Sequence, residues 1–381
     1  MHVLFIPKWY PGRQDPQLGD FLRKQAEAAS SYVKMSVLVI EAVEDNDLQE
    51  TVETTKDLWE LRIPYRHNRN PIGVMRKLIN LRRYLRAANR GQQRIWQERG
   101  KPDLTHAYIM TRPALVAWLF SRKFRIPYII GEQSSEYLDG TIEKKSATYL
   151  AASHFFFRRA KGVTAVSSFL GDQLIKLGFT AKYDVTPNVI PGLDRPLPPR
   201  VKPGQFLMVA DLVDKTKNVS GVLNALHIAR QTEPGLRLSV IGDGPDRDTL
   251  QKLAASKGLS RSVAFLGRLP NTGVLDHMAT VSAVIINSRV ETFSVVTGEA
   301  LAQGKPVIAT RCGGPMAFVE PGNGILIDID DDNALAQAMI KITHDAESYD
   351  PIKIRAGLSE RFSPSVVGET LAKIYTKALN D

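Results

Sequence analysis

The chain has one cysteine, Cys312, in 381 residues. A single thiol closes no internal disulfide and builds no cysteine-rich zinc site, so both kinds of scaffold are excluded and a reducing compartment suffices. Long apolar runs are missing too. No stretch reaches the roughly 18 apolar residues of a spanning helix, and the opening run Val3–Ile6 is broken by Pro7 and Lys8, too early for a secretory signal. The expected location is the cytoplasm. Nor is there a complete dinucleotide fingerprint, because Gly242-Asp243-Gly244 meets Pro245 without its third glycine. Acids are scarce in one place: between Arg62 and Lys101, twelve Lys or Arg accompany one acid, Glu98, a local excess of 11 beside a whole-chain charge of +10.

What remains is ordinary globular material, 43% hydrophobic and 24% charged, enough to bury a core throughout. Short β-rich runs alternate with helical patterns. Strands are expected at His2–Ile6, Met35–Ile40, Leu104–Tyr108, Pro127–Ile130, Gly162–Val166 and Tyr183–Thr186, then at Gln205–Val209, Arg237–Ile241, Val263–Leu266, Ala283–Ile286, Pro306–Ala309 and Gly324–Ile327. Such alternation needs crossovers, hence parallel sheets covered by helices on both faces. The fold class is α/β, with two Rossmann-like doubly wound domains. The prolines from Pro187 to Pro203 separate them, giving domains at 1–187 and 204–361, a linker at 188–203, and a last helix, 364–381, with no strand after it. Ligands of such sheets bind beyond the carboxyl ends of the strands, so the cleft between the domains is the expected site.

Chemistry concentrates between Ser288 and Gly314. The strand ending near Asn287 enters a loop with Glu291, and Ser294 is placed as the N-cap of a helix from Val295, whose first free amides suit a phosphate. Glu299, one turn further in, can take both hydroxyls of a sugar diol. Two glutamates eight apart occur by chance in most chains; their union with Gly304-Lys305-Pro306-Val307 and Gly313-Gly314 is harder to obtain. Together with the opening Phe5-Ile6-Pro7-Lys8-Trp9-Tyr10-Pro11, with Gly19-Asp20-Phe21-Leu22-Arg23-Lys24-Gln25, with Ile241-Gly242-Asp243-Gly244-Pro245 and with Phe265-Leu266-Gly267-Arg268, this run strongly resembles the family 4 retaining glycosyltransferases over nearly the whole chain.

The resemblance implies a GT-B architecture, with facing α/β domains and a last helix that crosses back to the first. It implies a nucleotide diphosphate sugar as donor substrate, no cofactor and no bound metal. Gly19, Gly242 and Gly244 would lie along the donor, Arg268 beside the base, and Lys217 against the leaving diphosphate. Glu291 would contact the donor sugar, the backbone of Phe293, Ser294 and Val295 the phosphate and sugar, and Glu299 the ribose. Gln133 stands where the family usually has a histidine, so it is expected to position the acceptor without titrating. A second departure is Asp211, six residues before Lys217, where an arginine is usual; Lys215 could supply the charge.

Other features have plainer readings. Asp45-Asn46-Asp47 and Asp328-Ile329-Asp330 fit a short metal-binding pattern of other sugar transferases, but acids at Asp330 and beyond also suit the start of a helix. His106 is either a cleft residue or a buried core histidine. The expected acceptor is a glycan or a lipid-linked glycan. The rivals are a phosphorylase or trehalose-type synthase on the same fold, a non-catalytic sugar-nucleotide or glycan-binding protein, and a nucleic-acid binder, the last lacking any recognition motif beside its charge. Within 62–101, Val74, Leu78, Leu81, Leu85 and Ala88 form one helical stripe, with Arg76, Arg83 and Arg90 opposite it. A buried stripe with a cationic back is expected, docking on an anionic membrane surface.

Overall fold

A computed structural model describes residues 1–12, 15–44 and 48–380. The Asp45-Asn46-Asp47 motif lies outside the described residues. The chain forms two compact units, Met1–Val189 with Pro364–Asp381, and Ile190–Ser363.

The first unit runs β1 (His2–Pro7), α1 (Asp20–Ser30), β2 (Lys34–Val43), β3 (Thr51–Thr55), β4 (Leu58–Arg66), α2 (Gly73–Arg99), β5 (Leu104–Tyr108), α3 (Arg112–Phe124), β6 (Tyr128–Glu132), α4 (Ala147–Arg159), β7 (Gly162–Ala165), α5 (Ser168–Lys176) and β8 (Asp184–Val185). Its sheet order is β3-β4-β2-β1-β5-β6-β7-β8. Strand β1 is buried on both faces: Val3 and Phe5 join one core layer, while Leu4 and Ile6 join the other, as side-chain alternation along a strand requires. The first layer holds Leu22 and Ala26 of α1; the second holds Tyr84, Ala87 and Ile95 of α2.

The β3–β4 hairpin is an addition to the expected strands. β4 pairs parallel with β2 from Met35↔Leu58 to Val43↔Arg66, and β3 lies antiparallel on its far side, so the sheet is not wholly parallel. Pro64 obscures β4 in the sequence. It is tolerated because β3 ends opposite Arg62, leaving Pro64 without a ladder partner on that side.

The second unit runs β9 (Gln205–Val209), α6 (Asp214–Lys217), α7 (Val219–Thr232), β10 (Arg237–Ile241), α8 (Arg247–Ser256), β11 (Val263–Gly267), α9 (Asn271–Ala279), β12 (Ala283–Ile286), α10 (Val295–Ala302), β13 (Val307–Thr310), β14 (Gly324–Ile327), α11 (Asp332–His344), α12 (Pro351–Arg355) and α13 (Ser359–Phe362). Its six strands, in the order β11-β10-β9-β12-β13-β14, are all parallel. The remaining helix, α14 (Pro364–Asn380), belongs to the first unit, where Val367, Leu371 and Tyr375 are fully buried beside α1.

The expected linker at 188–203 is corrected. The boundary is the single peptide between Val189 and Ile190. Val189 is part of the first unit's core, whereas the N–H of Ile190 donates to the carbonyl of Phe362 within the second. Apolar burial here outweighs the flanking prolines.

Candidate functional site

In the second unit the chain leaves β9 in one direction along the sheet and β12 in the other, so a topological switch point falls between these two strands, where doubly wound sheets bind ligands. The loops beyond their carboxyl ends carry the chemistry. After β9 comes the short α6 with Lys217; after β12 comes Glu291. Lys217 Nζ lies 2.6 Å from Glu291 Oε1, which also accepts the hydroxyl of Ser288 at 2.7 Å. Burial pushes the Lys217 ammonium toward neutrality, but Glu291 and then Asp211 outweigh it and raise its pKa, so the pair is ionic.

Both members are held by their backbones. Glu291 N–H donates to the carbonyl of Cys312 at 3.0 Å, and its carbonyl accepts from Gly314 N–H at 2.8 Å, stitching the loop to the end of β13. Gly314 packs on the backbone of Phe293, whose ring is buried 5.0 Å from Phe318 and 5.7 Å from Phe362. The Lys217 loop is fixed by a residue the sequence did not single out. Arg289 donates to Asp330 Oδ1 (2.7 Å), to the carbonyls of Asp214 (2.8 Å) and Lys215 (3.1 Å) and to Asn218 Oδ1 (3.0 Å). These partners come from two distant stretches of chain, so no local pattern could reveal the clamp.

Ser294 corrects the expected N-cap. It stands at the capping position of α10, but its backbone is left-handed (φ 71°) and its hydroxyl pairs with Thr297 Oγ1 at 2.8 Å, with no side-chain bond to a backbone amide. A non-glycine residue held there stores strain of order 1–3 kcal/mol. Val295 opens the helix, and the buried Glu299 accepts from Asn271 Nδ2 at 2.6 Å. Asn271 begins α9, just after the exposed Arg268, whose guanidinium lies 3.8 Å from Asp211. Asp211, which stands where an arginine is usual, thus faces a cation.

The glycines have structural reasons of their own. Gly242 (φ 136°) faces the carbonyl of Ala210 so closely that any Cβ would collide with it, and Gly244 lies against the backbone of Leu212. Both bring the β10 loop onto the β9 loop. In the first unit Gly19 (φ 68°) has no room for a side chain beside the carbonyl of Trp9.

Gln133 also lies in the first unit, and its amide is turned inward. Its Nε2 donates to Asn188 Oδ1 at 3.1 Å and Gln25 Oε1 at 3.4 Å, in a buried network where Tyr108 donates to Gln25 at 2.5 Å. The expectation that this amide presents its hydrogens to an acceptor is corrected, since they are engaged within the fold. Its neighbour Glu132 went unnoticed in the sequence: it is fully buried at the end of β6, accepts Met110 N–H at 2.7 Å and Tyr137 OH at 3.0 Å, and burial pushes its carboxyl up to about 7.

Two of the plainer readings, the acidic pattern at Asp328-Ile329-Asp330 and His106, are decided by the structure. Asp330 is occupied by Arg289 and Asp328 lies 3.5 Å from Arg311, while it is Asp331 that caps α11. Among the described residues no three His, Cys, Asp or Glu converge as a metal site. His106 is a core histidine, its Nδ1 2.9 Å from Tyr375 OH and its pKa pushed down to about 3 by burial. Cys312 is buried near the Lys217–Glu291 pair, and burial lifts its thiol to about 11, leaving it unreactive.

Comparison with known proteins gives two matches in tandem. Residues 26–189 match the glycosyl transferase 4-like domain and residues 192–357 the glycosyl transferases group 1 domain. The chain belongs to the family 4 glycosyltransferases. Among relatives of this family 4 chain, the lipopolysaccharide core biosynthesis glycosyltransferase LpsE of Rhizobium meliloti is 36% identical over 146 residues, which is 38% of this chain and 41% of LpsE. The glycogen synthase of Mycobacterium tuberculosis is 25% identical over 308 residues, 78% of this chain and 73% of the synthase. The structure of Anabaena HepE in complex with UDP and glucose superposes with a TM-score of 0.72 at 21% identity, covering 98% of this chain and 99% of HepE. That likeness shows the GT-B fold.

Proposed function

We propose that the protein is a retaining glycosyltransferase that moves a sugar from a nucleoside diphosphate donor to a hydroxyl of a glycan or lipid-linked acceptor, using neither metal nor cofactor, at the cytoplasmic face of a membrane. The observation that carries this reading is the Lys217–Glu291 pair at the switch point of the second sheet, with Glu299 one helical turn beyond. The names of the relatives support it: LpsE builds lipopolysaccharide core, and HepE was captured with UDP and glucose.

In this mechanism a diphosphate arriving at Lys217 competes with Glu291 for the ammonium. Glu291 is then released toward a sugar hydroxyl, while Lys217 and the first amides of α10 take up the charge that develops on the leaving phosphate. The bond from the anomeric carbon to the diphosphate oxygen breaks, and the acceptor oxygen bonds that carbon on the same face. The acceptor's proton passes to the departing phosphate oxygen. No protein nucleophile is needed. Arg268 lies along the base, and Glu299 takes the ribose diol.

Calorimetry with free nucleoside diphosphates tests the division of labour. Glu299→Ala loses charge-assisted hydrogen bonds of roughly 1.5 to 3 kcal/mol, whereas Glu291→Ala leaves affinity unchanged or raises it by freeing Lys217. Equal losses in the two variants overturn the assignment. The second reading, a non-catalytic sugar-nucleotide or glycan-binding protein, draws on Asp211; it gains if nucleotides bind but no donor is ever turned over.

A further inference from the structure

The cationic segment does not fold as its periodicity suggests. Of the five apolar residues expected to be buried along α2, only Ala88 is; Val74 is 69% and Leu78 57% exposed, and Ile72, just before the helix, is 62% exposed. The seam that holds α2 on its sheet is instead Asn80, Tyr84, Ala87, Ala88, Gly91 and Ile95. Two of the three arginines expected on the solvent side are fastened to the fold, and only Arg76 stays free of it among the described residues. Arg83 donates to the carbonyl of Arg66 at 2.7 Å, and Arg90 to Glu50 Oε1 at 3.0 Å and the carbonyl of Pro64 at 3.2 Å.

The outward face therefore combines apolar side chains with Arg76 and cations outside the expected set. Leu78, Arg82 and Arg86 follow one another at four-residue intervals, with Val74 and Met75 one turn before them. Arg76, Lys77, Arg82 and Arg86 are exposed and make no ion pair among the described residues. An open groove of about 690 Å³ runs beside this row, lined by Leu78, Leu81, Arg82, Leu85, Arg86 and Asn89. A second hollow of about 170 Å³ shares Leu85 and Asn89 with it and continues to Leu119, Phe120, Lys123 and Phe124 of α3. No acid occurs in α3 or in the first 25 residues of α2.

We propose that this face of α2, with the adjoining end of α3, docks on an anionic lipid bilayer by inserting Ile72, Val74, Met75 and Leu78 among the acyl chains while Arg76, Lys77, Arg82, Arg86 and Lys123 meet the headgroup phosphates. A polyanion such as nucleic acid satisfies the cations but leaves the apolar row wet. A bilayer satisfies both, because its interface places hydrocarbon directly beneath negative charge. Attraction of charges alone is screened by salt, and insertion is not, so binding through this face has a salt-resistant part. The proposal deepens the reading of a transferase with a membrane-linked acceptor by naming the surface that meets the membrane, and it is measured without any sugar nucleotide, so either can fail alone.

The full chain is sedimented with phosphatidylglycerol–phosphatidylcholine vesicles and with pure phosphatidylcholine vesicles at low and high salt. The wild type is expected to bind the anionic vesicles, to keep part of that binding at high salt, and to bind neutral ones far more weakly. Arg82→Glu with Arg86→Glu weakens binding by at least 25-fold, about fivefold for each charge removed. The same charge change made in the second unit, Lys252→Glu with Arg261→Glu, does not. Leu78→Asp abolishes the salt-resistant part, and unchanged melting temperatures show that each surface variant is folded. The proposal is overturned if the wild type ignores anionic vesicles, if both double variants weaken binding equally, if Leu78→Asp leaves salt resistance intact, or if duplex DNA is bound while vesicles are not.

Discussion

Glu132 is a carboxyl with nowhere to put a charge. Two of its neighbours, Met110 N–H and Tyr137 OH, donate to one oxygen, and the other oxygen has no partner among the described residues. Burial lifts its pKa from the ordinary 4.5 to about 7. A raised carboxyl pKa favours the neutral form in the folded state, so the contribution to stability is complete below pH 4.5 and fades as pH rises through 7. The shift corresponds to roughly 3 kcal/mol. Glu132→Gln keeps the shape without the titration, and in urea unfolding across this window the variant should gain on the wild type by about that amount. Parallel pH profiles of the two proteins would dismiss the idea. Beside Glu132, Ile109 holds a left-handed backbone (φ 69°), unusual for a β-branched residue. Met110, which follows it, is held through both its N–H, by Glu132, and its carbonyl, by Tyr149 OH.

Among the elements, the loop between β9 and α7 shows what a motif can and cannot say. Glu291 and Glu299 were legible because they sit in a run whose residue order is itself unusual, Lys217 only through the family resemblance, and the strands behind them declared themselves by their short apolar runs. The clamp was not legible. Arg289 holds Asp214, Lys215 and Asn218 from 71 to 75 positions away and Asp330 from 41, and contacts of that range leave no periodic trace. Exposure was misread for a similar reason: the stripe from Val74 to Ala88 has helical spacing whether it faces a sheet or water, and only the position of β4 and β2 decides which. Arg289→Ala should loosen the Lys217 loop, reducing thermal stability by about 1–2 kcal/mol and weakening nucleoside diphosphate binding roughly tenfold. Arg289→Lys should rescue little, because a single ammonium cannot reach four acceptors as a planar guanidinium fork does. Calorimetry and thermal melts of both variants check this, and full rescue by lysine would reject the fork.

Across the whole molecule, each unit has its own sheet and core, and the first is assembled from both ends of the chain. Helix α14 contributes Val367, Leu371, Ile374, Tyr375 and Ala378 to the layer that also holds Val3 and Phe5. At roughly 1.5–3 kcal/mol for each large apolar side chain, its removal approaches the entire stability of an ordinary domain, about 5–15 kcal/mol. Truncation after Ser363 should therefore abolish the melting transition of the first unit and leave that of the second, which calorimetric scanning resolves. Survival of both transitions would show that α14 is dispensable.

That arrangement also orders events in time. Helices α1 and α14, which must pair, are separated by more than three hundred positions. On a ribosome adding roughly 5–20 residues per second, tens of seconds pass between the emergence of one and the other. The second unit, contiguous from Ile190 to Ser363, can finish folding inside that interval, while the nascent first unit waits with the place of α14 beside α1 unfilled. For that time the apolar surface around Leu22, Ala26 and Ala29 is a natural client site for a chaperone, and the emergence of α14 is what dismisses it.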